Sequence, residues 1–184
     1  QGVPTASMTG YLTSEYAIST SVNYAMAGYN IATWLAETIG GEGNVIIMEG
    51  IPGASASDSQ HAGMKAGFAE YPDITIVAEI AHMWTPQIAQ AELQKWLSAN
   101  TTQVDGLAVQ SSGESGALNA LESSGRPMVP MALGGEIGAF CYWRNNPDFI
   151  DRAIYAWPPG DDAEFAMNVL LRTMQGQGLK MQSI

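Results

Sequence analysis

The side chains that most often carry covalent chemistry are few in this sequence and form no known catalytic pattern. Ser55 and Ser115 lack the flanking glycine pair of a nucleophile elbow. Neither His61 nor His82 has a clear triad partner in the sequence. The sequence therefore disfavours a hydrolase, and we expect a protein that is not an enzyme.

Signals for a metal or a cofactor are equally weak. His61 and His82 are far apart and have no paired carboxylate motif, and Cys141 is the single cysteine. The glycine-rich run at 40–43 precedes an apolar run, whereas a dinucleotide or phosphate loop follows a strand and opens a helix. We expect no metal and no cofactor. The histidines are interpreted as solvent-facing or satisfied polar residues, and the glycines as the end of a helix.

The charge balance excludes another class of partner. Lysine and arginine number 7 against 18 aspartates and glutamates, which gives a formal net charge of −11. Because nucleic-acid binding requires basic side chains that neutralise phosphates, we expect no nucleic-acid partner. The chain is 46% hydrophobic, which is sufficient for a buried core.

Short apolar runs alternate with runs of helical period along the chain, as Ile88, Leu93 and Trp96 illustrate. The uncharged stretch from Tyr16 to Ala36 is too rich in polar side chains for a membrane span and predicts a buried helix. Such alternation favours parallel strands covered on both faces, a doubly wound α/β fold. The predicted strands are Val3–Met8, Asn44–Glu49, Ile74–Ile80, Gly106–Val109, Met128–Met131 and Arg152–Ala156.

Helix boundaries agree with this pattern. Thr85 followed by Pro86 predicts a helix start, and Gly125 and Gly176 predict helix ends. In an open parallel sheet, ligands bind outside the carboxyl ends of the strands. Five segments therefore merit attention as strand exits: Gly50–Gln60, Ala81–Thr85, Gln110–Ser115, Leu133–Glu136 and Trp157–Asp162.

The order of several segments carries a family resemblance. These are GGEGNVIIMEGIPGASASDSQHAGMKAGFAEYPDI, then Trp84 before a helix, then VDGLAVQSSGESGALNALESSGRP, then VPMALGGE. From about Val3 to Gly176, the chain resembles the type I periplasmic sugar-binding proteins, the ribose-binding-like receptors of ABC importers. This resemblance implies the periplasmic-binding-protein type I fold, with two α/β lobes joined by three crossovers around a ligand cleft.

The same resemblance implies that several leading strand–helix units of the first lobe are missing from this chain. Residues 1–22 would then be a remnant of the first lobe with a crossover. Residues 23–157 would form the second ligand-binding lobe. Residues 158–184 would return to the first lobe and make the final crossover. With half of the cleft missing, these 184 residues alone should bind ligand poorly.

Binding positions carried over from the family differ in type at several places. Gln60 stands where the family often has an arginine, and Glu136 where it usually has an aspartate. Trp157 replaces a polar residue at the end of the last crossover. The full set of ligand-binding residues that the resemblance implies is Thr9, Gln60, Trp84, Gln110, Glu136 and Trp157.

Each of these positions has a structural alternative. Trp84 is also compatible with a place in the core, and Trp157 with bracing the hinge. Gln60 and Gln110 are also compatible with ordinary solvated amides. Glu136 also fits a helix N-terminus, where a carboxylate favours the dipole.

The resemblance implies a non-catalytic receptor that binds a neutral sugar or polyol and delivers it to an ABC permease in the membrane. It also implies a periplasmic or extracellular location. A lipid anchor attached through a missing leading segment is one way in which such a receptor is held at the membrane. The alternative is the effector-binding core of a lac-repressor-type transcription regulator, whose DNA-reading head would lie in the missing part. A third hypothesis, an enzyme on the same α/β layer, is disfavoured by the motifs above.

Overall fold

Strands and helices alternate in the computed structural model, which describes residues 3–149, 152–154 and 159–177. The strands are β1 (Thr5–Ser7), β2 (Ala17–Ser19), β3 (Glu42–Glu49), β4 (Asp73–Ala81), β5 (Gly106–Val109), β6 (Met131–Leu133) and β7 (Arg152–Ile154). The helices are α1 (Tyr24–Thr38), α2 (Ser55–Phe68), α3 (Pro86–Ala99), α4 (Glu114–Ser124), α5 (Ile137–Asn145) and α6 (Pro159–Met174).

Five strands form a parallel sheet in the order β4-β3-β5-β6-β7. Successive residues of β3 point to opposite faces. Val45 and Ile47 pack in the cluster that contains residues of α1 and α2, while Ile46 and Met48 pack with residues of α3 and α4. Helices therefore cover both faces, and the predicted doubly wound parallel sheet is confirmed.

The chain order reverses at the centre of this sheet. From β3 the chain passes to β4 on one side, and it then crosses to β5 on the other side of β3. In doubly wound folds the crevice between two such strands, at their carboxyl ends, is the usual ligand site. Here that crevice lies between the ends of β3 and β5.

The prediction of one helix from Tyr16 to Ala36 is wrong at its start. Residues 17–19 form β2, which pairs in parallel with β1 in a separate two-stranded sheet. Helix α1 begins after Asn23, whose Oδ1 accepts a hydrogen bond from Met26 N at 3.0 Å. An asparagine that caps the first turn in this way sets a helix start that apolar content alone does not mark.

Other boundaries differ less. The strand predicted at Met128–Met131 is displaced to β6, because Pro130 has no N–H for the ladder and enters it only through its carbonyl, bonded to Leu107 N at 3.0 Å. The predicted strand Arg152–Ala156 is described as far as Ile154, and its last two residues lie outside the described part. The helix ends at Gly125 and Gly176 are confirmed, with φ of 71° and 69°.

Helices α1 and α2 approach each other closely because glycines line their contact. A Cβ added at Gly63 would lie 1.9 Å from Ala25 O, and one at Gly28 would lie 1.9 Å from Gln60 O. This approach fixes the part of α2 from Gln60 onward against α1 and so places Gln60. In the part of the chain that the structure describes, no helix has the length and apolar character that a membrane span requires.

Candidate ligand-binding site

A cavity of about 510 Å³ opens at the reversal point of the sheet. Its volume lies in the range of small-molecule sites. None of the described side chains that line it carries a formal charge at neutral pH. The lining residues are Thr9, Gly10, Tyr24, Ala54, Ser55, Ala56, Gln60, Trp84, Ser111 and Ser112.

Gln60 lies in the second turn of α2, with only 5% of its surface exposed. Within the described residues, its Nε2 has no hydrogen-bond partner. A buried donor without a partner costs about 1–3 kcal/mol. Since Gln60 lines the cavity, its amide nitrogen is a donor that a bound molecule can satisfy.

Trp84 reaches the cavity from a tight turn that follows β4. Thr85 N donates to His82 O at 2.9 Å across this turn, and the two residues between them, Met83 and Trp84, have φ of 55° and 50°. Positive φ at both central positions is typical of a type I′ turn, which favours glycine and asparagine. Each non-glycine residue held there costs about 1–3 kcal/mol, and such strain clusters at functional sites.

Thr9 belongs to the segment between β1 and β2. Tyr11 N donates to Ser55 Oγ at 3.3 Å, which ties this segment to the first turn of α2. Gly10 lies against the same hydroxyl, since a Cβ there would be 3.1 Å from Ser55 Oγ. The contact brings Thr9 to the cavity that Gln60 and Trp84 also line.

Gln110 lies behind the cavity wall and is fully buried. Its Oε1 accepts from Gly50 N at 2.9 Å and from Ser57 Oγ at 3.0 Å, and its Nε2 donates to Ser57 O at 3.0 Å. The amide thus connects the exit of β5 to the exit of β3 and the start of α2. The structure places Gln110 within the protein's own hydrogen-bond network, and Gln110 is not among the residues that line the cavity.

Glu136 is also occupied internally. Its Oε2 accepts from Ser115 N at 3.0 Å and its Oε1 from Ser115 Oγ at 2.6 Å, at the first turn of α4. Glu136 therefore matches the structural alternative of a carboxylate at a helix N-terminus. It is not among the residues that line the cavity.

Glu114 is a buried acid that sequence reasoning missed. Its Oε2 accepts from Gly113 N at 2.9 Å and its Oε1 from Glu136 N at 3.1 Å. Burial, with the neighbouring Glu136 carboxylate as a smaller contribution, raises the pKa of Glu114 to about 7. A glutamate directly after a glycine looks like an ordinary exposed residue of a helix first turn, so no sequence signal marked it.

The two histidines do not face solvent freely. His61 bridges adjacent strands, with Nδ1 2.7 Å from Glu49 Oε2 and Nε2 2.6 Å from Glu79 Oε2. His82 is fully buried, and burial lowers its pKa to about 4. Over the described residues, no group of three or more His, Cys, Asp or Glu side chains is arranged to hold a metal ion.

The structure thus brings three of the six predicted binding residues, Thr9, Gln60 and Trp84, around one cavity, and Gln110 and Glu136 are not among its lining residues. Trp157 lies outside the described residues. The polar lining residues that are not among the six predicted binding residues are Tyr24, Ser55, Ser111 and Ser112. The three serines fall within strand exits that the sequence had marked for attention. Tyr24 is the first residue of α1, and the sequence prediction had placed the start of that helix earlier in the chain.

A doubly wound parallel sheet with an uncharged, partly polar cavity at its reversal point is the arrangement typical of α/β proteins that bind small molecules. The chain belongs to the periplasmic binding protein domain family, whose model matches residues 1–178. The family resemblance inferred from the sequence is therefore confirmed.

Relatives with named ligands are among its matches. A xylitol-binding protein of Mycolicibacterium smegmatis is 30% identical over 133 residues, which cover 71% of this chain and 38% of the relative. An ABC-transporter solute-binding protein from Actinobacillus succinogenes, solved with bound D-allose, superposes with a TM-score of 0.84 at 26% identity, covering 97% of this chain and 65% of that one. An ABC-transporter solute-binding protein from Thermobispora bispora superposes with a TM-score of 0.81 at 23% identity, covering 92% of this chain and 52% of that one. The chain therefore spans between about two fifths and two thirds of the length of these relatives.

Proposed function

We propose that this chain forms part of a non-catalytic receptor for a neutral sugar or polyol, and that this receptor delivers its ligand to an ABC permease. The observation that carries the proposal is the Nε2 of Gln60, buried at the cavity and without a partner among the described residues. A ligand hydroxyl oxygen is a suitable acceptor for this donor. Ligand binding would then remove the energetic penalty of the unsatisfied amide.

The other lining groups suit the same class of ligand. Ser55, Ser111 and Thr9 present hydroxyls at the cavity, and hydroxyls both donate to and accept from other hydroxyls. Ser111 Oγ already donates to Gly134 O at 2.8 Å, so it meets a ligand as an acceptor. The indole of Trp84, 37% exposed, offers a flat apolar surface for the CH face of a sugar.

The uncharged lining argues for a neutral ligand. Burying a charged group without a partner of opposite sign is costly, and the described lining residues offer none. We therefore expect sugar acids and amino sugars to bind much more weakly than neutral sugars. The names of the relatives, which refer to xylitol and D-allose, point to the same class of ligand.

The proposal includes a division into lobes. Residues 23–157 form the second lobe, and residues 1–22 and 158–184 belong to the first lobe and the crossovers. Two features support it: β1 and β2 form a sheet of their own, and α6 packs against β1. The remainder of the first lobe would close over the cavity from the side of Thr9. We place the receptor in the periplasm or outside the cell, as the family's name suggests.

Isothermal titration calorimetry tests the function on the protein expressed from the complete gene and on these 184 residues in parallel. The panel contains xylitol, D-allose and related neutral sugars and polyols, with glucuronate and glucosamine as charged counterparts. We expect saturable binding of at least one neutral compound by the complete protein, weaker binding by the 184 residues, and no comparable heat from the charged pair.

Two glutamine variants localise the site. Gln60→Met should weaken binding about tenfold, the effect of one lost hydrogen bond of about 1.4 kcal/mol. Gln87→Met is the matched control, because Gln87 is exposed on α3 and does not line the cavity. Equal affinities for the two variants, or binding of the charged compounds alone, would contradict the proposal.

A further inference from the structure

We propose that Gly50 is a positioning residue that holds the indole of Trp84 at the cavity, and that Gln110 acts by holding Gly50. Neither residue contacts ligand in this arrangement. The consequence for ligand affinity rests on the function proposed above, whereas the positioning itself is a property of the ligand-free protein.

The contacts of Gly50 carry the inference. Its N–H donates to Gln110 Oε1 at 2.9 Å, and its carbonyl accepts from Met83 N at 3.1 Å. A Cβ added at Gly50 would lie 2.0 Å from Trp84 Nε1 and 2.5 Å from Trp84 Cε2. The pyrrole edge of the indole therefore occupies the space that any side chain at position 50 would need.

The backbone of Gly50 does not itself require glycine. Gly50 is not among the residues of positive φ, whereas Gly53, three residues later, has a φ of 87°. Alanine at position 50 would thus conflict first with the indole, since the three atoms nearest to its Cβ all belong to Trp84. This separates a role in placing Trp84 from the ordinary role of glycine in a turn.

Three strand exits meet at this residue. Gly50 follows β3, Gln110 follows β5, and the turn that carries Trp84 follows β4. The turn is attached on its other side by His82 N, which donates to Glu49 O at 2.8 Å. The N–H and the carbonyl of Gly50 are both hydrogen-bonded, and the indole of Trp84 packs against its Cα. A side chain at position 50 must therefore displace the turn or the indole ring.

Fluorine NMR of protein labelled with 5-fluorotryptophan tests the positioning without ligand. The chain has five tryptophans, and Trp84→Phe identifies the resonance of Trp84. Gly50→Ala should shift that resonance and leave the others in place, which also shows that the variant folds. Gly160→Ala is the control, because a Cβ at Gly160 meets nothing within 4 Å. An unshifted Trp84 resonance in folded Gly50→Ala would overturn the proposal.

A double-mutant cycle keeps the proposal testable if Gly50→Ala folds poorly. The loss in unfolding midpoint caused by Gly50→Ala should largely disappear when Trp84 is already alanine, since the conflicting ring is then gone. An equal loss in both backgrounds would overturn the proposal. Gln110→Met should shift the same Trp84 resonance as Gly50→Ala, and a shift confined to other tryptophans would contradict the role given to Gln110.

Ligand titration then separates this inference from the proposed function. With a neutral sugar that the unmodified protein binds, Gly50→Ala should weaken affinity about tenfold, comparable to the loss of a good aromatic contact, while Gly160→Ala should not. If the unmodified protein bound no sugar, the proposed function would fail and the fluorine result would still decide the positioning. Unchanged affinity in a variant whose Trp84 resonance has shifted would contradict the effect on binding.

Discussion

Gln60 combines burial with an unused donor, and this pairing is the feature most specific to the cavity. Only 5% of the residue is exposed, and no described residue accepts from its Nε2. The family resemblance led us to expect a binding side chain at this position. The sequence could not reveal that the donor is free, because that depends on α1 and α2 approaching through their glycines.

The unpartnered amide predicts opposite effects on stability and binding. Gln60→Met keeps most of the side-chain volume and removes the unsatisfied donor, so ligand-free protein should lose no stability and should gain up to about 1 kcal/mol. Urea unfolding of the ligand-free variant measures this change. A loss of 2 kcal/mol or more, on the scale that follows removal of a used buried group, would show that the amide has a structural partner.

Glu114 and His82 predict opposing pH dependences of stability. The pKa of Glu114 is raised from 4.5 to about 7, so between these values the folded state keeps a proton that the unfolded state has released, and stability falls as pH rises. The pKa of His82 is lowered from 6.5 to about 4, so stability rises with pH over that interval. The two effects oppose each other between about pH 4.5 and 6.5.

Removing the acid should expose the effect of the histidine. In Glu114→Gln, the free energy of unfolding should rise more steeply with pH between about pH 5 and 6.5 than in the unmodified protein. Urea unfolding at several pH values measures both slopes, and Glu122→Gln on the exposed part of the same helix is the control. Parallel curves for the Glu114 variant and the unmodified protein would contradict the account.

Among the elements, α1 and α2 depend most on single glycines. Gly63→Ala would place a Cβ 1.9 Å from Ala25 O, where backbone and not a flexible side chain must move. We expect a loss of about 3 kcal/mol, at the upper end of the cost of overpacking, and displacement of Gln60 from the cavity. Thermal and urea unfolding measure the stability.

Another glycine in a helix supplies the comparison. Gly160→Ala in the first turn of α6 meets open space and should raise stability by less than about 1 kcal/mol, the advantage of alanine over glycine in a helix interior. If both substitutions had the same small effect, the close helix contact would not be a determinant of the fold. The comparison separates steric conflict from helix propensity.

The elements were largely predictable from the sequence, for a physical reason. Apolar runs such as residues 45–48 serve both faces of a parallel sheet, and glycines after α4 and α6 end those helices through positive φ. Strand β2 was missed because three residues in an uncharged stretch carry little periodicity and are fixed by pairing with β1. Propensity does not encode such a distant partner.

The candidate site was predictable only in part. The order of strands and helices along the chain identifies the strand exits. The predicted exits therefore contain Gln60, Trp84, Ser111 and Ser112, which line the cavity. Whether a polar side chain at an exit faces the cavity or the protein depends on its neighbours in space. Gln110 bonds Gly50 and Ser57, and Glu136 bonds Ser115, partners that lie on other elements.

At the scale of the whole molecule, the lining of the cavity comes unevenly from the two sheets and their helices. Helix α2 and the loops that follow β4 and β5 supply Gln60, Trp84 and the serines, whereas the β1–β2 segment supplies only Thr9 and Gly10. A ligand held by two walls is buried more completely than one held by a single wall. The proposed closure by the rest of a first lobe accounts for a chain that spans 65% of the length of the D-allose-bound relative.

The most direct test of the central claim follows the side-chain amide of Gln60 by ¹⁵N–¹H NMR during titration with the neutral sugar or polyol that calorimetry identifies. Gln60→Met assigns the resonance pair by its disappearance. The account predicts that this pair moves with saturation at the calorimetric affinity, as its free donor gains a hydroxyl acceptor, while the pair of exposed Gln87 stays in place. Saturable binding that leaves the Gln60 pair unmoved would contradict it.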